Sequence, residues 1–475
     1  IMNSPSFADA TELAGAIKAG KLACVDAMQA AIAACAKQDE LGAIAYFNPE
    51  AGLVAAQALD QEASVHPERF SERAFAGVPT VAKDLGGPFP GLPVTAGSRL
   101  FNRSGKGADS DLAGRFRDAG LCAFGLSTSP EFGFSLASEP AIGPICRNPL
   151  DPSRTAGGSS GGAAAAVAAG IVAIAHATDA GGSIRVPAAC CGLIGLKPTR
   201  GAVPAGPSFG NHLGGIASEL AVTRSVRDTT RMLDIVRGQT RGPFADIARS
   251  PVKAGMLRIG LLASTGQHYA IEPDRAQAVE AAARLLEGQR NELISLRWED
   301  LKSAVEASAQ AFGDIISVNI AGLVDDLELD ASAAETMTQA FIMRGRAMPA
   351  TTLWSSLNGA VRASRILWEL FDKVDVIVMP MLASAPPPIG SFPTDHSDTE
   401  LHLERMTSFA PLASLANISG FPAITLPFGE DAEGLPLPVQ MMAPMGEDNL
   451  LLQLASVLEA EQRWQHRFPI AGFPT

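Results

Sequence analysis

Residues Thr155–Arg185 read TAGGSSGGAAAAVAAGIVAIAHATDAGGSIR. Two glycine-rich loops, Gly157–Gly162 and Gly181–Ser183, bracket a run rich in Ala and Val. Clustered glycines let a backbone reach φ > 0 and turn amide N–H groups toward one point. Ser160–Gly170 is Ala-rich, with Ser159 or Ser160 as N-cap, and reads as a helix. Ile171–His176 is short, apolar and partly β-branched, and reads as a buried strand. A loop–helix–strand–loop unit can bring its two ends together, so Ser159 and Ser183 are expected to meet in one catalytic site. From Thr155 to Thr178 no residue carries a formal charge. That length would suit a membrane span, but the Ala/Gly composition favours a buried helix and strand.

The chain has 475 residues, 47% hydrophobic and 18% charged, which describes a globular protein. A net charge of −13, with no Lys/Arg stripes, argues against nucleic-acid and anionic-membrane partners. Six cysteines without a C-x-x-C pair suggest reduced thiols and a cytoplasmic location rather than a disulfide framework or a zinc site. The seven histidines form no H-x-x-x-H pair. Neither a metal nor a cofactor is expected. The N-terminus has no charged segment leading into an apolar one, so no signal peptide is expected.

Outward from the central stretch, Val78–Ala82 reads as a short buried strand with Lys83 at its end, opening onto the Gly/Pro-rich loop Gly86–Gly97. Ser110–Ala119 reads as a helix, Leu121–Leu126 as a strand and Ser129–Gly133 as a loop. Ser4–Cys35 suggests two amphipathic helices separated at Gly20, and Pro49–Ala63 a third. Beyond Thr223, Leu257–Leu262 and Leu293–Leu296 read as strands around the helix Pro273–Glu287. Trp298–Lys373 reads as mostly helix, Val374–Met379 as a strand and Ser384–Thr399 as a loop. Ala423–Leu426 reads as the last strand and Glu447–Gln462 as the last helix. Alternating strands and helices joined by tight loops imply an α/β sheet core with helices on both faces. Without repeats or a Pro/Ser linker, residues 1–475 are expected to form one domain. Its catalytic core would span 70–225 and a variable, helix-rich specificity section 226–410.

Three side chains could act together. A serine hydroxyl needs a base, and lysine can serve where burial brings its pKa toward neutrality. A relay Lys83–Ser159–Ser183 would carry the proton off Ser183. The amides of Ala180, Gly181, Gly182 and Ser183 would form an oxyanion hole. Asp179 and Arg185 would brace that loop by pairing. His176, the one histidine near either loop, reads as a packed core residue.

These motifs resemble the amidase signature family. Gly157-Gly158-Ser159-Ser160-Gly161-Gly162 is followed by Asp179-Ala180-Gly181-Gly182-Ser183-Ile184-Arg185 and by Cys191-Gly192-Leu193-Ile194-Gly195-Leu196-Lys197-Pro198-Thr199. Thr80-Val81-Ala82-Lys83-Asp84 resembles the family's lysine segment. Val374–Pro380, Asn417–Pro422 and Gly434-Leu435-Pro436 with Val439-Gln440 extend the likeness over most of the chain. The resemblance implies a mixed central sheet flanked by helices, Ser183 as nucleophile, Ser159 as bridging serine on a cis peptide, and Lys83 as base. It also implies that Gly133 lines the substrate pocket. Two departures bear on pocket shape: Gly125-Leu126-Ser127-Thr128 replaces a common Gly-Lys-Thr-Asn, and Ala180 a common Ile or Thr.

The function implied is hydrolysis of a small-molecule amide through a Ser183 acyl-enzyme, by a monomer or homodimer. Carbamates and ureas suit the same machinery. A subunit of a glutamine-dependent amidotransferase, needing partner chains, is a further reading, as is a binding protein on an inactive core. Gly157–Gly161 also fits the G-x-S-x-G elbow of α/β-hydrolases, but Cys146–Thr155, with two prolines and three charges, offers no expected strand before it. Specificity is expected to lie in Pro204–Gly215 and Val305–Leu370.

Overall fold

The computed structural model describes residues 7–86, 89–104, 109–204, 206–207, 212–248, 250–251 and 255–473. Part of the expected specificity section, residues 205 and 208–211, lies outside them, as do Ser4–Ser6 of the expected first helix.

The strands are β1 (Ile44–Phe47), β2 (Pro79–Lys83), β3 (Cys122–Ser127), β4 (Arg147–Asn148), β5 (Asp151–Thr155), β6 (Ile174–Asp179) and β7 (Ile194–Lys197). They continue with β8 (Ser218–Thr223), β9 (Arg258–Leu261), β10 (Glu292–Ser295), β11 (Val376–Pro380), β12 (Ala423–Glu430) and β13 (Pro436–Met442). Eight form one mixed sheet in the order β10-β9-β11-β13-β12-β7-β8-β6. The pairs β10–β9 and β9–β11 are parallel, and the rest of the sheet is antiparallel. A second sheet runs β1-β3-β2. Its edge strand β2 meets the edge strand β6 through side chains: Thr80 Oγ1 donates to the Ile174 carbonyl at 2.8 Å. The site lies along this seam.

The central stretch folds as expected in outline. Gly161–Ala168 is a helix, every residue of it buried, whose small side chains admit close neighbours. A Cβ at Gly162 would lie 2.2 Å from the Thr128 amide nitrogen and 2.5 Å from the Ala43 carbonyl. Close approach therefore explains this glycine, whereas Gly157 has φ 82°. Ser160 is the N-cap residue but makes no capping bond. Its hydroxyl instead donates to the Thr178 carbonyl at 3.1 Å and accepts from the Thr178 amide at 3.3 Å. The following strand is Ile174–Asp179, three residues later than Ile171–His176, because Gly170 and the turn after it precede it.

Two expectations are corrected. Asp151–Thr155 is a strand despite Pro152, in a two-stranded ribbon with β4 rather than in the central sheet. Ala423–Leu426 is not the last strand: β13 follows, antiparallel to both β12 and β11. Its two prolines, Pro436 and Pro438, masked it in the sequence.

In the helix-rich section, Lys302–Asp326, Thr336–Ala347 and Ala350–Phe371 pack together. Lys302–Asp326 is long and apolar enough to cross a membrane by composition, yet over half of its most apolar window is buried in the protein. Asp314, on that buried face, is ion-paired to Arg344 at 2.9 Å.

Candidate active site

Strand β2 ends at Lys83, and its side chain is fully buried. Nζ donates to Ser159 Oγ at 2.7 Å and to Thr178 Oγ1 at 2.8 Å. Burial pushes the ammonium down to about 7, against the opposing pull of Asp179 and Glu219. At that value a large fraction of the amine is neutral at pH 7. The Lys83–Ser159 contact then reverses: the Ser159 hydroxyl donates to the Nζ lone pair.

The Gly158–Ser159 peptide is cis. Ser138 clamps this loop: its hydroxyl donates to the Ser159 carbonyl at 3.1 Å and accepts from the Gly161 amide at 3.0 Å. The two serine loops are joined directly, because the Ser160 amide donates to the Ser183 carbonyl at 3.2 Å. Ser159 and Ser183 line one cavity. Among the described residues no hydrogen bond joins their hydroxyls; while Lys83 is protonated, Ser159 accepts from it and its own proton is free to donate.

The Ser183 loop is pinned from within. Asp179 and Arg185, both fully buried, pair through two contacts of 2.9 and 3.0 Å. Arg185 also donates to Gln440 Oε1, Asn417 Oδ1 and the Ala413 carbonyl. Burial pushes the Asp179 carboxyl up, but Arg185 and the hydrogen bonds from Asn417 and Gly182 outweigh it and hold the group at about 2. The expected bracing pair is thus present, and Asn417 and Gln440 extend it.

One expected oxyanion donor is engaged elsewhere. The Gly182 amide donates to Asp179 Oδ1 at 2.7 Å. It is committed to the carboxylate because the tight turn folds that amide inward. The amides of Ala180, Gly181 and Ser183 have no such partner among the described residues.

The cavity beside Ser183 measures about 420 Å³. Its walls carry Leu85, Val94, Phe101, Phe132, Phe134, Leu213, Phe312, Ile316, Ile320 and Leu323, and among the described residues no charged side chain. Asn319 is exposed at this wall. A smaller space of about 30 Å³ meets Ser183 from another side, lined by Leu403, Met406, Thr407 and Ser414. Gly133, Gly181, Ser183 and Phe312 border both spaces. Gly133, at φ 74°, comes so near Ser159 that a Cβ there would lie 3.0 Å from its Oγ.

His176 is the packed core residue expected, while its pairing with Glu219 and the contacts of Thr178 and Ser138 are not visible in the motifs. Moving the strand to Ile174–Asp179 places His176 and Thr178 on one face by the two-residue period of a strand, and that shift was the missing signal. Among the described residues no cluster of His, Cys, Asp and Glu could hold a metal ion.

The amidase family model matches residues 25–452. The chain belongs to the amidase family. This amidase is 34% identical over 480 residues to the putative amidase AmiC of Mycobacterium tuberculosis, covering 96% of this chain and 95% of that one. It is 31% identical over 500 residues to the 6-aminohexanoate-cyclic-dimer hydrolase of Paenarthrobacter ureafaciens, covering 97% of this chain and 96% of that one. A solved 6-aminohexanoate cyclic dimer hydrolase superposes with a TM-score of 0.88 at 28% identity, over 98% of both chains. A bacterial aryl acylamidase of the amidase signature family shares the fold, with a TM-score of 0.84 at 23% identity. The amidase is accordingly an amide-hydrolysing enzyme of the amidase signature type.

Proposed function

We propose that this amidase cleaves the C–N bond of an uncharged small-molecule amide through an acyl-enzyme on Ser183. One observation carries the reading: a fully buried Lys83, held at about 7, lies 2.7 Å from Ser159 on the wall that also bears Ser183. Ser183 attacks the carbonyl carbon. Its proton passes to Ser159 while the proton of Ser159 passes to Lys83. The oxyanion rests on the amides of Ala180, Gly181 and Ser183. The relay then runs backward and protonates the leaving nitrogen, so the C–N bond breaks to give a neutral amine. Water cleaves the acyl-enzyme by the same route.

The cavity supports an apolar substrate. A charged group there would lose hydration without gaining a counter-charge, whereas aliphatic or aryl amides, cyclic diamides included, would fill it. The helix-rich section supplies Phe312, Ile316, Asn319, Ile320 and Leu323 to this wall, which supports its role in specificity. The six cysteines, all unpaired and buried, support a reducing, cytoplasmic setting.

Hydrolysis of p-nitroacetanilide, the cyclic dimer of 6-aminohexanoate and a p-nitrophenyl carbamate, each with wild type and Ser183→Ala, tests the reading. Amide turnover is expected to fall by at least about 10³-fold in the variant. Turnover surviving in Ser183→Ala overturns it, and a preference for the carbamate moves the substrate class to urethanes.

A further inference from the structure

Lys83 is held from behind as well as from in front. Its backbone N–H donates to Nδ1 of His176 at 3.1 Å, and Nε2 of His176 lies 3.1 Å from Oε1 of Glu219. Both side chains are fully inside the protein. The imidazole sits against Phe89 and Phe116, with ring centroids 5.0 and 5.7 Å away. A backbone N–H can only donate, so Nδ1 is the acceptor and carries no proton. The ring's proton is then on Nε2, which donates to Glu219. The register explains the grouping. Glu219 on β8 stands opposite Thr178 on β6, and His176 lies two residues along the same face. That face looks at β2, which has no ladder partner on this side, so His176 and Thr80 make the bonds a neighbouring strand would otherwise supply.

We propose that His176 and Glu219 are positioning residues for the catalytic base: the imidazole fixes the peptide at the end of β2, and the carboxylate sets a negative charge behind Lys83. This rests on the reading of Lys83 as the base. Among the described residues, the charged groups facing the lysine are Asp179 on β6, which is also paired with Arg185, and Glu219 on β8. On its own strand, Asp84 follows Lys83 and is paired with Arg103 at 2.9 Å. Both Asp179 and Glu219 favour the ammonium and oppose desolvation. Gly86 closes the loop over the pair: a Cβ there would lie 2.4 Å from Glu219 Oε1 and 3.4 Å from His176 Cε1. Gly86 also lines the cavity, so the carboxylate sits one backbone layer beneath its floor.

The test follows the rate at which a fluorophosphonate probe labels the full chain, read by intact mass across pH. Glu219→Gln keeps an acceptor for His176 and removes the charge. Its ascending limb is expected to move to lower pH by about one unit, because a lysine without that anion sheds its proton more readily. A merely structural role lowers the plateau and leaves the limb in place. Should Glu219→Gln fail to fold, the histidine decides. His176→Leu, with no acceptor, is expected to lose about tenfold of the plateau rate, and His176→Asn, which offers one, to recover at least about threefold of that loss. Labelling lost in Ser183→Ala and Lys83→Ala, with a limb unmoved in Glu219→Gln or equal rates in the two histidine variants, overturns this proposal alone. Labelling retained in Lys83→Ala overturns the reading beneath it, and the proposal with it.

Discussion

Lys83 shows most clearly how one residue trades stability for chemistry. Desolvation lowers its pKa from 10.5 to about 7, so the neutral base accumulates as pH rises through 7. The rate of hydrolysis is expected to rise through that value and level off above it; a profile flat from pH 5 to 9 would contradict this. Folding follows the same sign. Between 7 and 10.5 the unfolded chain binds a proton here that the folded chain does not, so this site's contribution to stability grows with pH across that window and is least below 7. Lys83→Met is therefore expected to lose turnover by about 10²–10⁴-fold while its Tm at neutral pH stays at or above that of wild type. A Tm well below wild type in thermal unfolding would mean that the lysine stabilises the fold. Gly133→Ala acts on the neighbouring serine. The new Cβ would press on Ser159 Oγ and come 2.8 Å from Leu85 Cδ2, at a φ of 74° that side chains resist. It is expected to lower kcat more than it raises KM.

At the scale of elements, the Ser183 loop depends on a buried ion pair held by three separate segments. Removing one partner leaves an uncompensated charge in the core. Arg185→Met is expected to cost about 3–5 kcal/mol in denaturant unfolding and to inactivate the enzyme together with the loop; an unchanged midpoint would show the pair to be dispensable. The glycine loops, the helix Gly161–Ala168, Lys83 and the Asp179–Arg185 pair were all legible in the sequence, because local composition and motif spacing determine them. Less legible was anything set by contacts between distant segments. The strand after the helix begins and ends three residues later than its composition suggests, which brings Thr178 into it, two residues from His176 on the face toward Lys83. Strand β13 was hidden by Pro436 and Pro438, which lie in its first part, where only β12 pairs with it, and the bond from the Gly182 amide to Asp179 follows from a turn whose amide direction no spacing reveals.

The whole molecule places its chemistry where two sheets meet edge to edge, with a helical section closing the cavity over it. One mixed sheet and one small one, joined by side chains at β2 and β6, place Lys83 on the small sheet and the Ser183 loop on the large one. The six cysteines all lie within this packing. Ellman's reagent is expected to find almost none of them in the native protein and six in guanidinium; fewer than six after unfolding would indicate a disulfide. On the proposed mechanism Ser183, and not its neighbours in the glycine loop, carries the acyl group. Trypsin leaves Ser159, Ser160 and Ser183 on a single peptide, Thr155–Arg185, because no Lys or Arg lies between Arg154 and Arg185. The most direct measurement is to acylate the enzyme with a p-nitrophenyl ester, quench in acid and locate the adduct within that peptide by fragmentation. The acyl group is expected on Ser183 and is expected to be absent from Ser183→Ala. An adduct on Ser159 or Ser160, or an unmodified Ser183 in an enzyme that still turns over, would contradict that mechanism.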